Sequence, residues 1–274
     1  MTHLVVALWS EAKPLIDRLG LRPASPRAPF RHHRRDDLAL VVSGVGKTLS
    51  AAAAAYLFAA EGERRGRPWI NVGIAGHATA AVGTGLLAHK VEDAGSGRVW
   101  YPCPVFDPPA PTTMVRTVDR VLPEYPRDAA CDMEAAGFCA AASRFASSEL
   151  VHVYKVVSDG PGTDLATLTA ERVTELVTPH AGEVECLVTV TTALADEIAV
   201  ARPEIDADPW LERWRFTVSQ RRRLEKLLAR LAVVTPGSPA VADLGADAGD
   251  ARAVLSRLEE AVTSAWMVAE RAAK

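Results

Sequence analysis

Four short segments of this 274-residue chain combine residue types that can do chemistry. Ser43-Gly44-Val45-Gly46-Lys47-Thr48 follows an apolar run and opens a helical pattern, the setting of a phosphate-binding loop. That loop also needs a glycine at position 41, where this chain has Val41. The shorter turn cannot wrap backbone N–H groups round a polyphosphate, so its glycines are expected to let backbone approach a ligand or a neighbouring strand. Asn71-Val72-Gly73-Ile74-Ala75-Gly76-His77 ends an apolar run in small residues. It is either a tight strand exit or a floor of exposed backbone under a flat ligand, and His77 either approaches that ligand or caps a loop. Asp132-Met133-Glu134 sets two carboxylates before an alanine-rich stretch. Acidic residues in a first helical turn complement the helix dipole, which suits Asp132. Glu134, among small residues, is out of place as a merely solvated side chain. Ser158-Asp159-Gly160 follows the run Val156-Val157, and carboxylates at the C-terminal ends of sheet strands commonly face a ligand crevice. A plain turn-forming aspartate is the alternative.

The elements that must position these groups follow from the apolar pattern. Leu4–Trp9, Leu38–Ser43, Trp69–Gly73, Gly85–Val91 and Leu150–Val157 read as strands. Helical patterns lie between them at Glu11–Leu19, from Leu49 to Ala60, and from about Asp132 to Phe145. The proline-rich segment Pro102–Pro111 is neither helix interior nor central strand. Strand–helix alternation of this kind predicts an α/β fold, a three-layer α/β/α sandwich around a central mixed sheet. From Leu165 onward helical patterning dominates. Asp208-Pro209 is a good helix start, and the helix it opens carries Trp210, Leu211, Trp214, Leu224, Leu228 and Leu231. Thr235-Pro236-Gly237 ends it, and a last amphipathic helix is expected over about Asp250–Ala272. The organisation is therefore read as a catalytic domain over 1–200 and a helical C-terminal extension over 201–274, in which Arg221-Arg222-Arg223 forms a solvated face.

Composition narrows the function. A chain of this length buries about 75% of its unfolded surface and needs no metal or disulfide to hold it together. With 31 Lys+Arg against 34 Asp+Glu, the formal charge of −3 gives no basic field for general nucleic-acid binding. Cys103, Cys131, Cys139 and Cys186 have neither zinc-knuckle nor redox-pair spacing and read as buried thiols. No stretch approaches the ~20 apolar residues of a membrane span, and the start of the chain is no signal peptide. A soluble, cytoplasmic protein is expected, with no nucleic-acid or membrane partner.

Taken together, the segments resemble the nucleoside phosphorylase/nucleosidase superfamily, on its methylthioadenosine/S-adenosylhomocysteine nucleosidase side. The resemblance covers about residues 3–180 and rests on motifs in the family order: Ala7-Leu8-Trp9-Ser10-Glu11, Ser43 to Lys47, Asn71 to Gly76, Asp132-Met133-Glu134-Ala135 and Val157-Ser158-Asp159. It implies cleavage of the N-glycosidic bond of a purine nucleoside, 5′-modified or not. In such chemistry the sugar becomes oxocarbenium-like, the leaving base takes a proton, and a nucleophile attacks the anomeric carbon from the opposite face. The matching positions imply that Glu134 accepts hydrogen bonds from the ribose hydroxyls with Met133 beside the sugar. Asp159 matches the general acid at the base, Ser158 its hydrogen-bonding neighbour, and Glu11 the carboxylate that activates the attacking water. Ala75 and Gly76 match the small residues against the base. Thr117-Val118-Asp119-Arg120-Val121 resembles the family element whose aromatic stacks on adenine, and Val121, which takes that place, cannot stack.

Hydrolysis is favoured over phosphorolysis. Phosphorolytic relatives carry an arginine at the position of Asn71 and a serine at that of Ile74, and neither Asn nor Ile replaces an arginine fork on phosphate. Lys47 keeps a phosphate-dependent phosphorylase as the alternative, beside a non-catalytic nucleoside-binding protein of the same fold. The resemblance implies no cofactor and no metal, and a homo-oligomer, dimer or larger.

Overall fold

The apolar runs become strands and the amphipathic stretches become helices in the computed structural model, which describes residues 1–25, 27–62, 65–120, 125–163, 167–201, 206–235, 244 and 247–272. In chain order the first elements are β1 (Thr2–Val6), α1 (Trp9–Leu19), β2 (Arg22–Pro23), β3 (Arg31–Arg35), β4 (Leu38–Val42) and α2 (Lys47–Ala60). Next come β5 (Trp69–His77), β6 (Gly85–Asp93), β7 (Val99–Trp100), β8 (Thr112–Thr117) and β9 (Ala129–Asp132). They are followed by α3 (Ala135–Ala142), β10 (Val151–Asp159), α4 (Ala170–Val177) and α5 (Ala181–Ala201). The last helices are α6 (Asp208–Arg213), α7 (Val218–Val234) and α8 (Ala251–Ala272). The chain divides into two units, Met1–Ala195 and Asp196–Lys274.

The first unit is a three-layer α/β/α sandwich on one mixed sheet, with strand order β10-β6-β8-β9-β5-β1-β4-β3-β2 and β7 beside β6. β1 runs parallel to β4 and β5, and β10 runs parallel to β5. β6 and β9 reverse direction against β10 and β5. Because β10 also pairs with β5, the strands β5, β10, β6, β8 and β9 close into a ring. Side chains alternate between the two faces, as the period of two requires. Val5, Val41, Trp69 and Val153 join Leu57 of α2 and Phe138 of α3 in one core, while Leu4, Leu40, Ile70 and Tyr154 join Leu15 of α1, Val177 of α4 and Leu187 of α5 in the other. Fully burying such a side chain contributes about 1.5–3 kcal/mol.

Three local expectations are corrected. The first strand stops at Val6 and Trp9 already opens α1, because the Glu11 carboxylate turns back onto the N–H groups of Ala7 and Leu8. Asp132 ends a strand, paired with Thr117 of β8, and α3 starts only at Ala135. The helix opened by Asp208 stops at Arg213, since Trp214 is extended and Thr217 with Gln220 forms a capping box that restarts the chain as α7. The thiols also divide: Cys131 and Cys139 are buried, whereas Cys103 and Cys186 are exposed.

In the second unit α6, α7 and α8 pack round Trp210, Leu224, Leu228, Leu231, Val254 and Leu258. The indole N–H groups of Trp210 and Trp214 donate to the carbonyls of Leu244 and Ala248, so both tryptophans are spent inside this unit. Among the described residues no helix is long and apolar enough to cross a membrane.

Gly137 shows how closely one helical layer is packed. A Cβ there would collide with the backbone carbonyl of Lys47, so α3 approaches the start of α2 across bare backbone. Gly137→Ala is expected to lower stability by about 1–3 kcal/mol, the usual cost of overpacking, read from the midpoint of urea unfolding.

Candidate active site

The C-terminal ends of the parallel strands β1, β5 and β10 lie at one edge of the sheet, beside the end of β9. Between them opens a cavity of about 250 Å³. Its wall includes Glu11, Ala75, Gly76, Met133, Glu134, Ser158 and Asp159, brought together from four stretches of sequence. The pairing of β10 with β5 slips between Val157 and Asp159, an irregularity at the point where Ser158 and Asp159 enter the cavity wall. Bulges of this kind re-aim side chains beside functional sites.

Glu11 is held from three sides. Its Oε2 accepts from Ala7 N (2.9 Å) and Leu8 N (2.8 Å), and its Oε1 accepts from Ile74 N (2.9 Å). Only 2% of the residue is exposed. Burial raises its pKa above the usual carboxylate value, and Lys155 with the backbone donors pulls it partly back. The helix that carries it is anchored through a consequence of Pro14. Proline has no N–H to give the carbonyl of Ser10, and the Thr174 hydroxyl of α4 donates to that carbonyl at 3.1 Å instead.

Behind the cavity lies a buried charge cluster. Lys155, 1% exposed, sits in the middle of β10 with its Nζ 2.7 Å from Asp132 Oδ2. Burial by itself would lower the ammonium pKa, but Asp132, Glu134 and Glu11 outweigh it and hold the group above the ordinary lysine value. Asp132 also accepts from the Thr117 hydroxyl (2.6 Å) and from Ala135 N (2.8 Å), which caps α3 from the strand. Glu134 Oε1 accepts from Gly46 N at 2.8 Å. Burial raises the Glu134 pKa and Lys155 opposes that rise. Gly73 leaves the space this cluster needs: a Cβ there would lie 2.9 Å from Glu11 Oε1 and 3.3 Å from Lys155 Nζ.

At the other end of the cavity Asp159 has both oxygens engaged. Ser158 Oγ donates to Oδ1 at 2.5 Å, and the Tyr125 hydroxyl donates to Oδ2. Burial and the adjacent Asp159 both raise the Tyr125 pKa, keeping the phenol protonated. His77 turns away to accept from Thr79 N and Ala80 N, each at 3.1 Å, and so caps a loop.

No family model and no curated protein matches the chain. Solved structures do. The 5′-methylthioadenosine/S-adenosylhomocysteine nucleosidase of Helicobacter pylori, bound to butyl-thio-DADMe-Immucillin-A, superposes with a TM-score of 0.59 at 13% identity, covering 69% of this chain and 97% of that one. The Colwellia psychrerythraea nucleosidase in complex with adenine gives 0.55 at 19% identity over 70% of this chain and 95% of that one. The futalosine hydrolase of H. pylori gives 0.58 at 13% identity, with 69% and 97% covered. The chain has the nucleoside phosphorylase/nucleosidase fold.

Within that fold, seven of the eight site residues expected from sequence line one cavity, and the eighth, Val121, lies outside the described residues. The glycine-rich segment acquires a definite use. Gly44 (φ +87°) and Gly46 (φ +105°) take conformations that favour glycine, and the second delivers its N–H to Glu134. Two residues escaped the sequence reading. Lys155 had a signal, a lone cation inside an apolar strand, which is rarely tolerated without buried partners. Tyr125 had none, since only the fold brings it to Asp159. Replacing Lys155 by Met leaves Asp132 and its neighbours as uncompensated buried charge. A loss of about 3–5 kcal/mol is expected in urea unfolding, with a smaller loss for Lys155→Arg.

Proposed function

We propose that this protein hydrolyses the N-glycosidic bond of a purine nucleoside, with water as the nucleophile. The observation that carries this reading is the convergence of Glu11, Glu134 and Asp159 on one cavity. The solved structures of the same fold support it, since they are nucleosidases and a futalosine hydrolase, one of them in complex with adenine. Glu11, deprotonated, takes a proton from water as it attacks the anomeric carbon. Its raised pKa makes it a stronger base than an ordinary carboxylate. Glu134 accepts from the ribose hydroxyls, and its negative charge stabilises the oxocarbenium-like sugar. Asp159 delivers a proton to the departing base, and Ser158 orients it. Carboxylates acting on two faces of a sugar are the division of labour of inverting glycosidases.

The charge pattern favours water over phosphate. No lysine or arginine lines the cavity among the described residues. Lys47 is bound to Asp93 (2.7 Å) and Asp119 (2.9 Å), and Lys155 to Asp132. Asn71 is buried in the sheet, where its amide donates to Val5 O at 3.0 Å, and Ile74 presents an apolar wall. A phosphate dianion would therefore meet carboxylates without a paired arginine fork.

The test is chromatographic detection of free base from adenosine, inosine, guanosine, methylthioadenosine, S-adenosylhomocysteine and 5′-deoxyadenosine, each with and without phosphate. Release independent of phosphate is expected, and strict phosphate dependence would make the protein a phosphorylase. Asp159→Asn and Glu11→Gln should each lower kcat by about 10²–10⁴-fold, the range for a positioned acid or base. Glu134→Gln should also raise KM. Glu11 works deprotonated and its pKa is raised, so the acid limb of the kcat/KM profile should lie above the ~4.3 of a free glutamate and vanish in Glu11→Gln.

A further inference from the structure

Tyr125 stands at the end of the cavity where the proposed function needs the base. It lies on the connection between β8 and β9, and its hydroxyl donates to Asp159 Oδ2. Its ring rests on Gly76: a Cβ at that glycine would collide with Cε1 of the ring, lie 2.7 Å from Cζ and lie 2.8 Å from Asp159 Oδ2. One aromatic side chain thus covers the bare-backbone floor and engages Oδ2 of the carboxylate, the two features a bound base would use. With Ser158 on Oδ1 and the phenol on Oδ2, each oxygen of Asp159 already accepts a hydrogen bond, and the phenol takes the approach to Oδ2 from the cavity side. A flat group with a polar edge fits the same floor and the same acceptor. The phenol is itself such a group.

We infer that Tyr125, lying on Gly76 and bonded to Asp159, stands in the base subsite as an internal substitute for the base, so that a nucleoside binds by displacing it from Asp159 and Gly76. The inference rests on the nucleosidase reading for the identity of the ligand, but the occupancy of the cavity by Tyr125 stands apart from it. Displacement makes Tyr125 a specificity-determining residue. A base must replace the hydrogen bond of the phenol to Asp159 as well as its contact with the glycine floor, and one that cannot do so is rejected because breaking that bond goes uncompensated.

The test is calorimetric titration of the full chain with adenine and with 4-methylphenol, using the wild type, Tyr125→Phe and Tyr125→Ala, each checked for folding by circular dichroism. Adenine is expected to bind about tenfold more tightly to Tyr125→Phe, which loses only the bond to Asp159, and at least as tightly to Tyr125→Ala. The free phenol should bind Tyr125→Ala and not the wild type, as small aromatics fill a vacated cavity. Wild type binding adenine as tightly as the variants, or more tightly, overturns the inference and leaves the nucleosidase reading intact. So does a Tyr125→Phe enzyme with reduced kcat and unchanged KM, which would assign the phenol to proton transfer. Binding of 4-methylphenol to Tyr125→Ala, with no purine or nucleoside bound by any variant, supports occupancy by Tyr125 and removes the nucleosidase reading.

Discussion

The ammonium of Lys155, buried in the middle of β10, is the charge on which the site depends. Asp132 binds it directly, and Glu134 and Glu11 feel its field. Carboxylates this deeply buried would otherwise take up protons, since desolvation penalises their charged forms. The single cation lets several of them share one region of the fold, though it does not cancel the effect of burial on Glu11 and Glu134. Such clusters demand complete hydrogen bonding because an unpaired buried charge is costly. Asp132 meets the demand with Thr117, Lys155 and Ala135 N, and so joins β8, β10 and the start of α3 at one point.

Glycine works with this charge cluster at three places. Gly73 clears room for Glu11 and Lys155, Gly76 lies bare under Tyr125, and Gly46 turns its N–H to Glu134. The segment Ser43–Thr48, which in sequence invites comparison with a phosphate loop, is thereby a holder for a glutamate. The ring of β5, β10, β6, β8 and β9 makes these placements rigid, because each strand that reaches the cavity is hydrogen-bonded on both sides. The second unit is organised differently. Its two indoles, Trp210 buried and Trp214 half-buried, tie the loop carbonyls of Leu244 and Ala248 to a helical core of leucines and valines.

The amino-acid sequence by itself determined the α/β class, the main strands and helices, and seven of the residues that line the cavity. The strands were legible because unbroken apolar runs bounded by Gly and Pro have few other uses, and the glycines marked where backbone must lie bare. Glu11, Ala75, Gly76, Met133, Glu134, Ser158 and Asp159 could be singled out because acids and small residues at the ends of apolar runs stand out from the pattern around them. Three things were decided only by tertiary structure. Asp132 became a strand residue because pairing with Thr117 and the bond to Lys155 outweigh its preference for a helix start. Lys155 became the counter-ion of the site because strand pairing places β10 against β5. Tyr125 reached Asp159 across 34 residues. Local pattern reports which face of an element is apolar, while the meeting of charges distant in sequence depends on how the strands are ordered in the sheet.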